Sequence, residues 1–380
     1  MVVNELKKIR IVVADHNSSY MESLSAFLRI SEEASRFIVT YFSEQGKLES
    51  YLKRGDIIDI MLISPELYDP MLNLAPETCI ILLEDDQLST RRESMEAVFR
   101  YQRLNQLISS ILAIYYERNQ SAGKLLARSK KTKVITVYSP IGGCGKTAIA
   151  TNLSKQLALN HAKVFYLNLE LLNTTRLYFT SAEDNPSLQI FYYVKAESPQ
   201  LLSKIEALKK YDAYSMVDYF DIEISADELL EFNEADVKRL INGIVETGAY
   251  DYIVVDLDSS LHERNIAAIK ECDQIIWPIA NDVQSLLKTK SFFEEELKLM
   301  GKENIVKDKL TVLLNKYTGS MVGTMGEYGI SVDGYLPFIE NWINMQSSSE
   351  ILGNEQFNQE LQSIIHDKII VELEGVSTIG

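Results

Sequence analysis

The sequence has few cysteines and no long apolar run, and both absences restrict what the protein can be. Its three cysteines, Cys79, Cys144 and Cys272, lie far apart without a C-x-x-C pair. That spacing argues against a disulfide framework and against a zinc site. No apolar run reaches the roughly 18 residues that span a bilayer, and the N-terminus MVVNELKKIR lacks the apolar core of a signal peptide. The sequence therefore predicts a cytoplasmic protein without direct membrane insertion.

The net charge is −16, and the excess acid lies in the second part of the chain. Residues 1–130 carry 16 Lys and Arg against 18 Asp and Glu, so residues 131–380 carry 22 against 36. An acidic domain repels the phosphate backbone of nucleic acids. No Lys/Arg-rich run occurs outside residues 117–133. We therefore expect no nucleic-acid partner.

In the first 118 residues, short apolar segments alternate with stretches of helical periodicity. Apolar residues between Tyr20 and Leu28 recur at the spacing of one helical face, and a further helix is predicted over Leu104–Tyr116. Strands are predicted at Arg10–Ala14, Phe37–Phe42, Ile57–Ile63 and Cys79–Leu83. Strands that alternate with helices indicate a parallel sheet covered on both faces.

A polar and basic segment, ERNQSAGKLLARSKKTK at residues 117–133, indicates a linker. We therefore expect a first domain at 1–118, a linker at 119–132 and a second domain at 133–380. Apolar strands of the second domain are predicted at VITVYSP and at residues 252–256, 274–278 and 310–315. Residues 181–235 are acidic and tyrosine-rich without strand periodicity, which predicts an insertion of helices and loops. The expected fold class is α/β, with two doubly wound domains.

A phosphate-binding loop follows the first strand of the second domain. It reads GGCGKT and leads into a helix predicted from Thr147 to Asn160. In this context the glycines let successive backbone N–H groups point at phosphate oxygens, and the helix N-terminus adds its positive end. The residues predicted to hold the nucleotide are Gly142, Gly143, Cys144, Gly145, Lys146, Thr147 and Ala148. Lys146 should reach the β- and γ-phosphates of ATP or GTP, and the Thr147 hydroxyl should bind Mg²⁺.

Asp256 ends the apolar strand YIVVD, about a hundred residues after the loop. A carboxylate at the end of a strand beside a phosphate loop can hold Mg²⁺ through water. Asp256 is therefore predicted as a metal ligand and as a catalytic candidate. Asp258, two residues further on, is interpreted as a loop residue rather than a ligand.

Five segments of the second domain occur in the order and approximate spacing of the MinD/ParA ATPases. They are GGCGKTAIATNLSKQLA, FYLNLE at 165–170, YDYIVVDLDSS at 251–260, LLNK at 313–316 and YLPF at 335–338. Residues 133–380 resemble this family, apart from the insertion. The resemblance implies a homodimer with ATP and Mg²⁺ held between subunits, and ATP rather than GTP. It also implies that Asn315, Pro337 and Phe338 contact the adenine base.

The sequence departs from that family at positions that serve hydrolysis. The family's loop begins with a lysine that reaches the partner's nucleotide, whereas this chain has Ile141, which cannot offset charge on a phosphoryl group. Asn168 and Glu170 stand where the family has D-x-D, and DLDSS lacks the proline and glycine that usually follow Asp256. We expect ATP binding with weak or absent hydrolysis. The alternative is slow turnover in which Glu170, as the catalytic carboxylate, activates water.

Residues 8–118 resemble a response-regulator receiver domain that has lost its active site. IRIVVADHN matches the strand that ends in an acidic pair, of which Asp15 remains. DIMLISPEL matches the strand of the phosphoacceptor aspartate, where this chain has Ser64. Tyr101 and Gln102 stand in place of the family's Lys-Pro pair. The resemblance implies a binding module that is not phosphorylated.

A receiver without a phosphoacceptor ahead of a MinD/ParA-like ATPase resembles the TadZ/CpaE family. That resemblance implies a homodimer at the cell pole, held at the inner face of the membrane by components of the Tad (type IVb) pilus and secretion machinery. Two alternatives remain open, an active partitioning or positioning ATPase with an ATP-driven dimer cycle, and a two-component regulator. The acidic second domain disfavours cycling on DNA, and the C-terminal segment lacks the basic amphipathic face of a membrane anchor. Ser64 disfavours the regulator.

Overall fold

The structure of the protein, a computed structural model, describes residues 8–30, 36–86, 91–92, 95–119, 132–181, 187–222, 226–300, 306–320, 325–344 and 348–370. The chain divides into two compact units. Unit 1 comprises Met1–Lys131, Glu197–Ala207 and Glu246–Ala249, and unit 2 comprises Thr132–Ala196, Leu208–Val245 and Tyr250–Gly380. Each unit is thus assembled from three separate segments of the chain.

Unit 1 is built on a six-stranded sheet. Its strands are β1 (Ile9–Ala14), β2 (Phe37–Phe42), β3 (Ile60–Ile63), β4 (Cys79–Glu84), β5 (Arg91–Arg92) and β6 (Met95–Phe99). They lie in the order β2-β1-β3-β4-β6-β5, and all pairs except β5–β6 are parallel. The predicted parallel sheet is confirmed, and its five parallel strands have the 2-1-3-4-5 order of flavodoxin-like folds. The strand predicted from Ile57 begins only at Ile60, because Ile57 is exposed.

Helices cover both faces of this sheet. They are α1 (Ser18–Ile30), α2 (Gln45–Leu52) and α3 (Leu104–Arg118). Successive residues of β1 point to opposite faces, so that Val13 packs with Leu24 of α1 and Leu112 of α3, whereas Val12 packs with Leu48 of α2. The predicted alternation of strands and helices therefore produces two apolar layers, one on each face of the sheet.

Two short segments from the later part of the sequence belong to unit 1. Leu202 is buried in the same apolar cluster as α1 and α3. The buried guanidinium of Arg36 donates to the hydroxyl of Tyr116 at 3.1 Å and to the carbonyl oxygen of Thr247 at 3.2 Å. It also pairs with the buried carboxylate of Glu206 at 3.3 Å. The first segment is thus joined to unit 1 by apolar packing and a buried ion pair, and the second by a hydrogen bond to its backbone.

Unit 2 contains an eight-stranded sheet. Its strands are β7 (Lys133–Val137), β8 (Val164–Asn168), β9 (Lys210–Asp212), β10 (Val217–Tyr219), β11 (Tyr252–Asp256), β12 (Gln274–Ala280), β13 (Leu310–Tyr317) and β14 (Gly334–Pro337). The order is β14-β13-β12-β7-β11-β8-β10-β9, and all pairs except β9–β10 are parallel. The predicted strands at 252–256, 274–278 and 310–315 are confirmed. The carboxyl ends of β7, β8, β11 and β13 therefore meet at one edge of the sheet.

The remaining helices follow these strands or lie in the insertion. They are α4 (Lys146–Leu159), α5 (Thr175–Tyr178), α6 (Gln189–Lys195), α7 (Leu201–Leu208), α8 (Ala226–Leu230), α9 (Glu234–Glu246), α10 (Glu263–Glu271), α11 (Val283–Met300), α12 (Ser348–Leu352) and α13 (Glu355–Ile364). Helix α13 continues into a π-helical turn at Ile365–Ile370. Within the described ranges, no helix is both long enough and apolar enough to cross a membrane.

The segment at 181–235 differs from its prediction in one respect. Besides helices α6, α7 and α8, it contains the hairpin of β9 and β10, and β10 extends the main sheet by pairing with β8. Each of these strands has three residues, which is too short for a period-2 pattern to stand out in the sequence. The expectation of helices and loops alone was therefore wrong.

Candidate nucleotide-binding site

The glycine loop lies between β7 and α4, at the carboxyl edge of the unit 2 sheet. Gly143 and Gly145 have φ values of +72° and +94°, in the left-handed region that glycine adopts without strain. The helix begins at Lys146, with Gly145 as its N-cap, and Ala148 lies in its first turn. Gly142 and Gly143 are exposed. The loop thus presents accessible backbone at the N-terminus of a 14-residue helix, which is the geometry of an anion site.

Two side chains at the end of β13 donate hydrogen bonds to the backbone of the loop. The side-chain amide of Asn315 donates to the carbonyl oxygen of Cys144 at 2.8 Å, and the ammonium of Lys316 donates to that of Gly143 at 2.8 Å. A Cβ atom on Gly145 would overlap the Asn315 amide nitrogen. Asn315 therefore lies beside the loop, and in this structure its amide holds the loop backbone. Its expected contact with adenine stays a prediction.

Lys146 is folded back onto the loop. Its ammonium donates to the hydroxyl of Ser259 at 2.6 Å and to the carbonyl oxygen of Ile141 at 3.2 Å. Ser259 belongs to the segment that follows β11, so the loop lysine connects two strand ends. Phosphate oxygens bound in the loop would compete with Ser259 and Ile141 for the hydrogen bonds of this ammonium group.

Two carboxylates face the start of α4. The hydroxyl of Thr147 donates to Glu170 at 3.4 Å, and the fully buried Asp256 accepts from the hydroxyl of Tyr166 at 2.8 Å. Burial raises the pKa of Glu170, and Lys146 offsets this in part. Burial, reinforced by the charge of Glu170, raises the pKa of Asp256 well above its usual value. The charge of Lys146 offsets the effect of burial on both pKa values only in part, and a bound cation would lower both further.

Mg²⁺ fits this arrangement if protein oxygens and phosphate oxygens bind it together. The Oδ1 atom of Asp256 is buried and has no hydrogen-bond partner among the described residues. Across the same residues, no group of three or more His, Cys, Asp or Glu side chains could hold a metal ion. Mg²⁺ is commonly bound by one or two protein oxygens together with substrate phosphates and water. Thr147 and Asp256 would supply the protein part of such a site.

Sequence reasoning missed Tyr166 and did not recognise how Asn168 is used. The amide nitrogen of Asn168 donates to the hydroxyl of Tyr166 at 3.2 Å, and its oxygen accepts from the backbone N–H of Glu170 at 2.8 Å. A polar side chain two residues before Asn168 on a buried strand was the available signal, since the two must face the same side of the sheet.

Asp258 orders the segment after β11. Its carboxylate pairs with the buried guanidinium of Arg264 at 2.7 Å and accepts from the amide of Asn265 at 2.6 Å. Burial raises the pKa of Asp258, but the hydrogen bonds from Ser260 and Asn265 and the charge of Arg264 outweigh it, and the pKa is lowered. These contacts agree with the interpretation of Asp258 as a loop residue.

Ile141 and Cys144 both point into the protein. Ile141 is 7% exposed and Cys144 is fully buried. The Ile141 side chain therefore does not extend from the loop surface. Burial raises the pKa of the Cys144 thiol even though Lys146 lies nearby, so the thiolate form is disfavoured.

The segment predicted to flank the base lies beside the end of β13. The backbone N–H of Phe338 donates to the carbonyl oxygen of Tyr317 at 2.9 Å. Pro337 ends β14 and is partly exposed, and the Phe338 side chain is 40% exposed. The exposed Phe338 ring is available for stacking, and the expected contact of Pro337 and Phe338 with adenine stays a prediction.

Unit 1 has its own polar cluster at the carboxyl edge of its sheet. The buried guanidinium of Arg100 pairs with Asp15 at 2.7 Å and with Asp85 at 2.6 Å. It also donates to the carbonyl oxygen of Leu83 at 3.1 Å. Ser64 is fully buried just beyond the end of β3. The guanidinium of Arg100 therefore neutralises Asp15 and occupies the place beside it where a metal cation could bind.

Comparisons with known proteins show likeness in sequence and in fold. A family model described as an AAA domain matches residues 132–312. The uncharacterized protein MJECL24 of Methanocaldococcus jannaschii is 29% identical over 202 residues, which are 49% of this chain and 73% of that protein. This similarity assigns no activity.

Two solved structures illustrate the likeness of fold. A ParA family ATPase from Chlorobium tepidum TLS matches with a TM-score of 0.51 and 16% identity, covering 61% of this chain and 97% of that one. The septum site-determining protein MinD from Pyrococcus horikoshii OT3, complexed with Mg-ADP, matches with a TM-score of 0.48 and 16% identity, covering 66% and 100%. The match to the ParA family ATPase therefore shows that the chain contains a domain with a ParA-like fold.

Proposed function

We propose that the protein is an ATP-binding, dimerising localisation or assembly factor with weak or absent ATP hydrolysis. The observation that carries this proposal is the loop itself. Lys146, Thr147 and the exposed glycine backbone are placed for phosphate and Mg²⁺, whereas Ile141 is buried. These features support a loop that binds a nucleotide but has no side chain at position 141 extending toward another subunit. ATP bound between two subunits would stabilise the dimer by mass action without any chemistry.

A second candidate is an active positioning ATPase with a slow ATP-driven dimer cycle. The observation that favours it is the position of Glu170, whose carboxylate lies 3.4 Å from the Thr147 hydroxyl. A carboxylate so close to the expected Mg²⁺ site could orient a water molecule for attack on the γ-phosphate. The two candidates differ in the nucleotide found in the dimer after incubation.

Unit 1 is proposed to act as a receiver-like binding module. The linker is proposed at 119–132 and the ATP-binding domain at 133–380, except residues 197–207 and 246–249, which belong to unit 1. The 2-1-3-4-5 strand order of unit 1 and the absence of a carboxylate at Ser64 support the receiver-like module. From the TadZ/CpaE resemblance, we propose components of the Tad pilus machinery at the cell pole as partners. The proposal includes no nucleic acid, because of the acidic second half.

The test is to incubate the purified protein with Mg²⁺ and ATP, separate dimer from monomer by gel filtration and identify the nucleotide in each fraction. Intact ATP in a dimer is the expected result. ADP with monomeric protein would favour the cycling ATPase, and protein free of nucleotide would contradict both candidates.

Lys146→Ala provides the matching variant. It removes the ammonium that lies on the loop, so we expect ATP retention and the ATP-dependent dimer to be lost. Lys288→Ala, which removes the same charge from an exposed position of α11, is the control and should behave like the unaltered protein. Unchanged retention by Lys146→Ala would show that the loop is not the nucleotide site.

A further inference from the structure

Tyr166 lies on the face of the sheet that carries the candidate Mg²⁺ ligand. In the pairing of β8 with β11, Asn168 lies opposite Asp256 and Tyr166 lies opposite Val254. Tyr166 is therefore the diagonal neighbour of Asp256 on one face of this parallel pair, a separation that a long side chain can bridge. The Tyr166 side chain is long enough for its hydroxyl to lie 2.8 Å from Oδ2 of Asp256.

The tyrosine ring is held in place by packing. Tyr166 is fully buried, and its ring lies 4.8 Å from the ring of Phe179, measured between centroids. Phe179 in turn stacks on Tyr219 at 5.3 Å. Because the ring cannot move freely in this core, the hydroxyl group has a fixed position beside Asp256.

Asn168 sets the direction of the hydrogen bond. Its amide oxygen accepts from the backbone N–H of Glu170, so its NH₂ group is directed to the hydroxyl oxygen of Tyr166. A hydroxyl has one proton to donate. Since Tyr166 already accepts from Asn168, its own proton goes to Asp256.

The geometry points to Tyr166 as the positioning residue of Asp256, which fixes the carboxylate through Oδ2 and leaves Oδ1 for Mg²⁺. This inference rests on the proposed binding of Mg²⁺ and ATP in unit 2. It also accounts for the asparagine at position 168. An aspartate there could accept the tyrosine proton and would remove the donor from Asp256, besides adding a like charge beside it.

The variant that tests the inference is Tyr166→Phe, which removes one oxygen and keeps the ring. The measurement is calorimetric titration with ATP at a series of Mg²⁺ concentrations and, separately, in EDTA. We expect the Mg²⁺ concentration for half-maximal enhancement of ATP binding to rise about 10- to 100-fold, the usual effect of losing an outer-shell partner of a metal ligand. ATP affinity in EDTA should be unchanged.

Two further variants separate positioning from packing. Tyr252→Phe is the matched control, because Tyr252 lies on the same strand and in the same buried cluster as Val254 but four residues from Asp256. It should leave the Mg²⁺ dependence unchanged. Asn168→Leu adds no charge and keeps the tyrosine but removes the amide that directs its proton, so it should shift the Mg²⁺ dependence in the same direction as Tyr166→Phe. The double variant should show little more than either single change.

The outcomes distinguish this inference from the proposal on which it rests. If the unaltered protein binds ATP in a Mg²⁺-dependent way and Tyr166→Phe has the same Mg²⁺ dependence, the inference is wrong and the proposed function stands. Equal weakening of ATP binding in EDTA and in Mg²⁺ would also overturn it, since that marks a packing role. If the unaltered protein binds no ATP under either condition, both are wrong.

Discussion

Among single residues, Gly145 is restricted by its backbone conformation and by its neighbour at the same time. Its φ of +94° disfavours any other residue, and a Cβ atom would overlap the side-chain amide of Asn315. We expect Gly145→Ala to displace that amide from Cys144 and to lower the free energy of unfolding by about 1–3 kcal/mol. The measurement is thermal or urea unfolding without nucleotide.

Gly142 is the matched control for that substitution. It lies in the same loop, and an added Cβ would meet no atom within 4 Å. Gly142→Ala should therefore leave the free energy of unfolding within about 0.5 kcal/mol of the unaltered protein. Equal losses in the two variants would show that the contact with Asn315 has no effect on stability.

Residue types identified the loop, but they did not reveal which atoms it contacts. The motif GGCGKT is sufficient to predict a phosphate loop because the backbone conformation it needs is local. The contacts of Asn315, Tyr166 and Ser259 depend on which strands are neighbours and in what register, and one sequence does not contain that information. Burial of Ile141 likewise depends on what packs over the loop.

Among the elements, the segment between β11 and α10 depends on the ion pair of Asp258 and Arg264. Asp258→Asn removes the charge but keeps the shape, and it leaves a buried guanidinium without its counter-ion. We expect the free energy of unfolding at pH 7 to fall by about 2 kcal/mol, the usual loss for a hydrogen bond to a charged group. Urea unfolding over a pH series measures it.

The same variant has a defined pH dependence. The pKa of Asp258 in the folded protein lies below its ordinary value of 3.8. The stabilisation is therefore present above pH 3.8 and is lost as the pH falls through the lower folded value. The difference between the two proteins should be constant from pH 7 to about 5 and should shrink below about 4. The exposed Asp227→Asn is the control, and a difference that grows in acid would contradict the assignment.

Several strands and helices of both units could be predicted because their apolar patterns extend over several residues. Strands β1, β2, β4, β11, β12 and β13 and helices α1, α3 and α4 were each predicted within a few residues. The hairpin of β9 and β10 could not be, because three-residue strands gain their stability from the sheet edge they join. Pairing with β8 determines this structure, and the local sequence does not encode it.

For the whole molecule, residues that are consecutive in the sequence do not always belong to the same compact unit. Residues 197–207 and 246–249 follow the phosphate loop in the chain, yet both belong to unit 1. The polar composition at 119–132 indicates a linker but does not reveal that later segments return to unit 1. Periodicity shows which face of an element is buried, and it does not show which unit that face packs against. The buried pair of Arg36 and Glu206 and the buried Leu202 join the first segment to unit 1, and hydrogen bonds from Arg36 and Tyr116 to the carbonyl oxygen of Thr247 join the second.

This arrangement predicts which unit loses stability when helix α7 is weakened. Leu202 is 8% exposed in the apolar cluster of unit 1, so Leu202→Ala should cost about 2–3 kcal/mol there. Hydrogen exchange of the full-length protein measures the effect locally: amides of β1 should exchange faster by roughly 30- to 150-fold, at 1.4 kcal/mol per tenfold change. Amides of β11 should be unchanged, and so should both strands in the control Leu230→Ala, where the side chain is 50% exposed. Faster exchange in β11 instead of β1 would show that α7 stabilises unit 2.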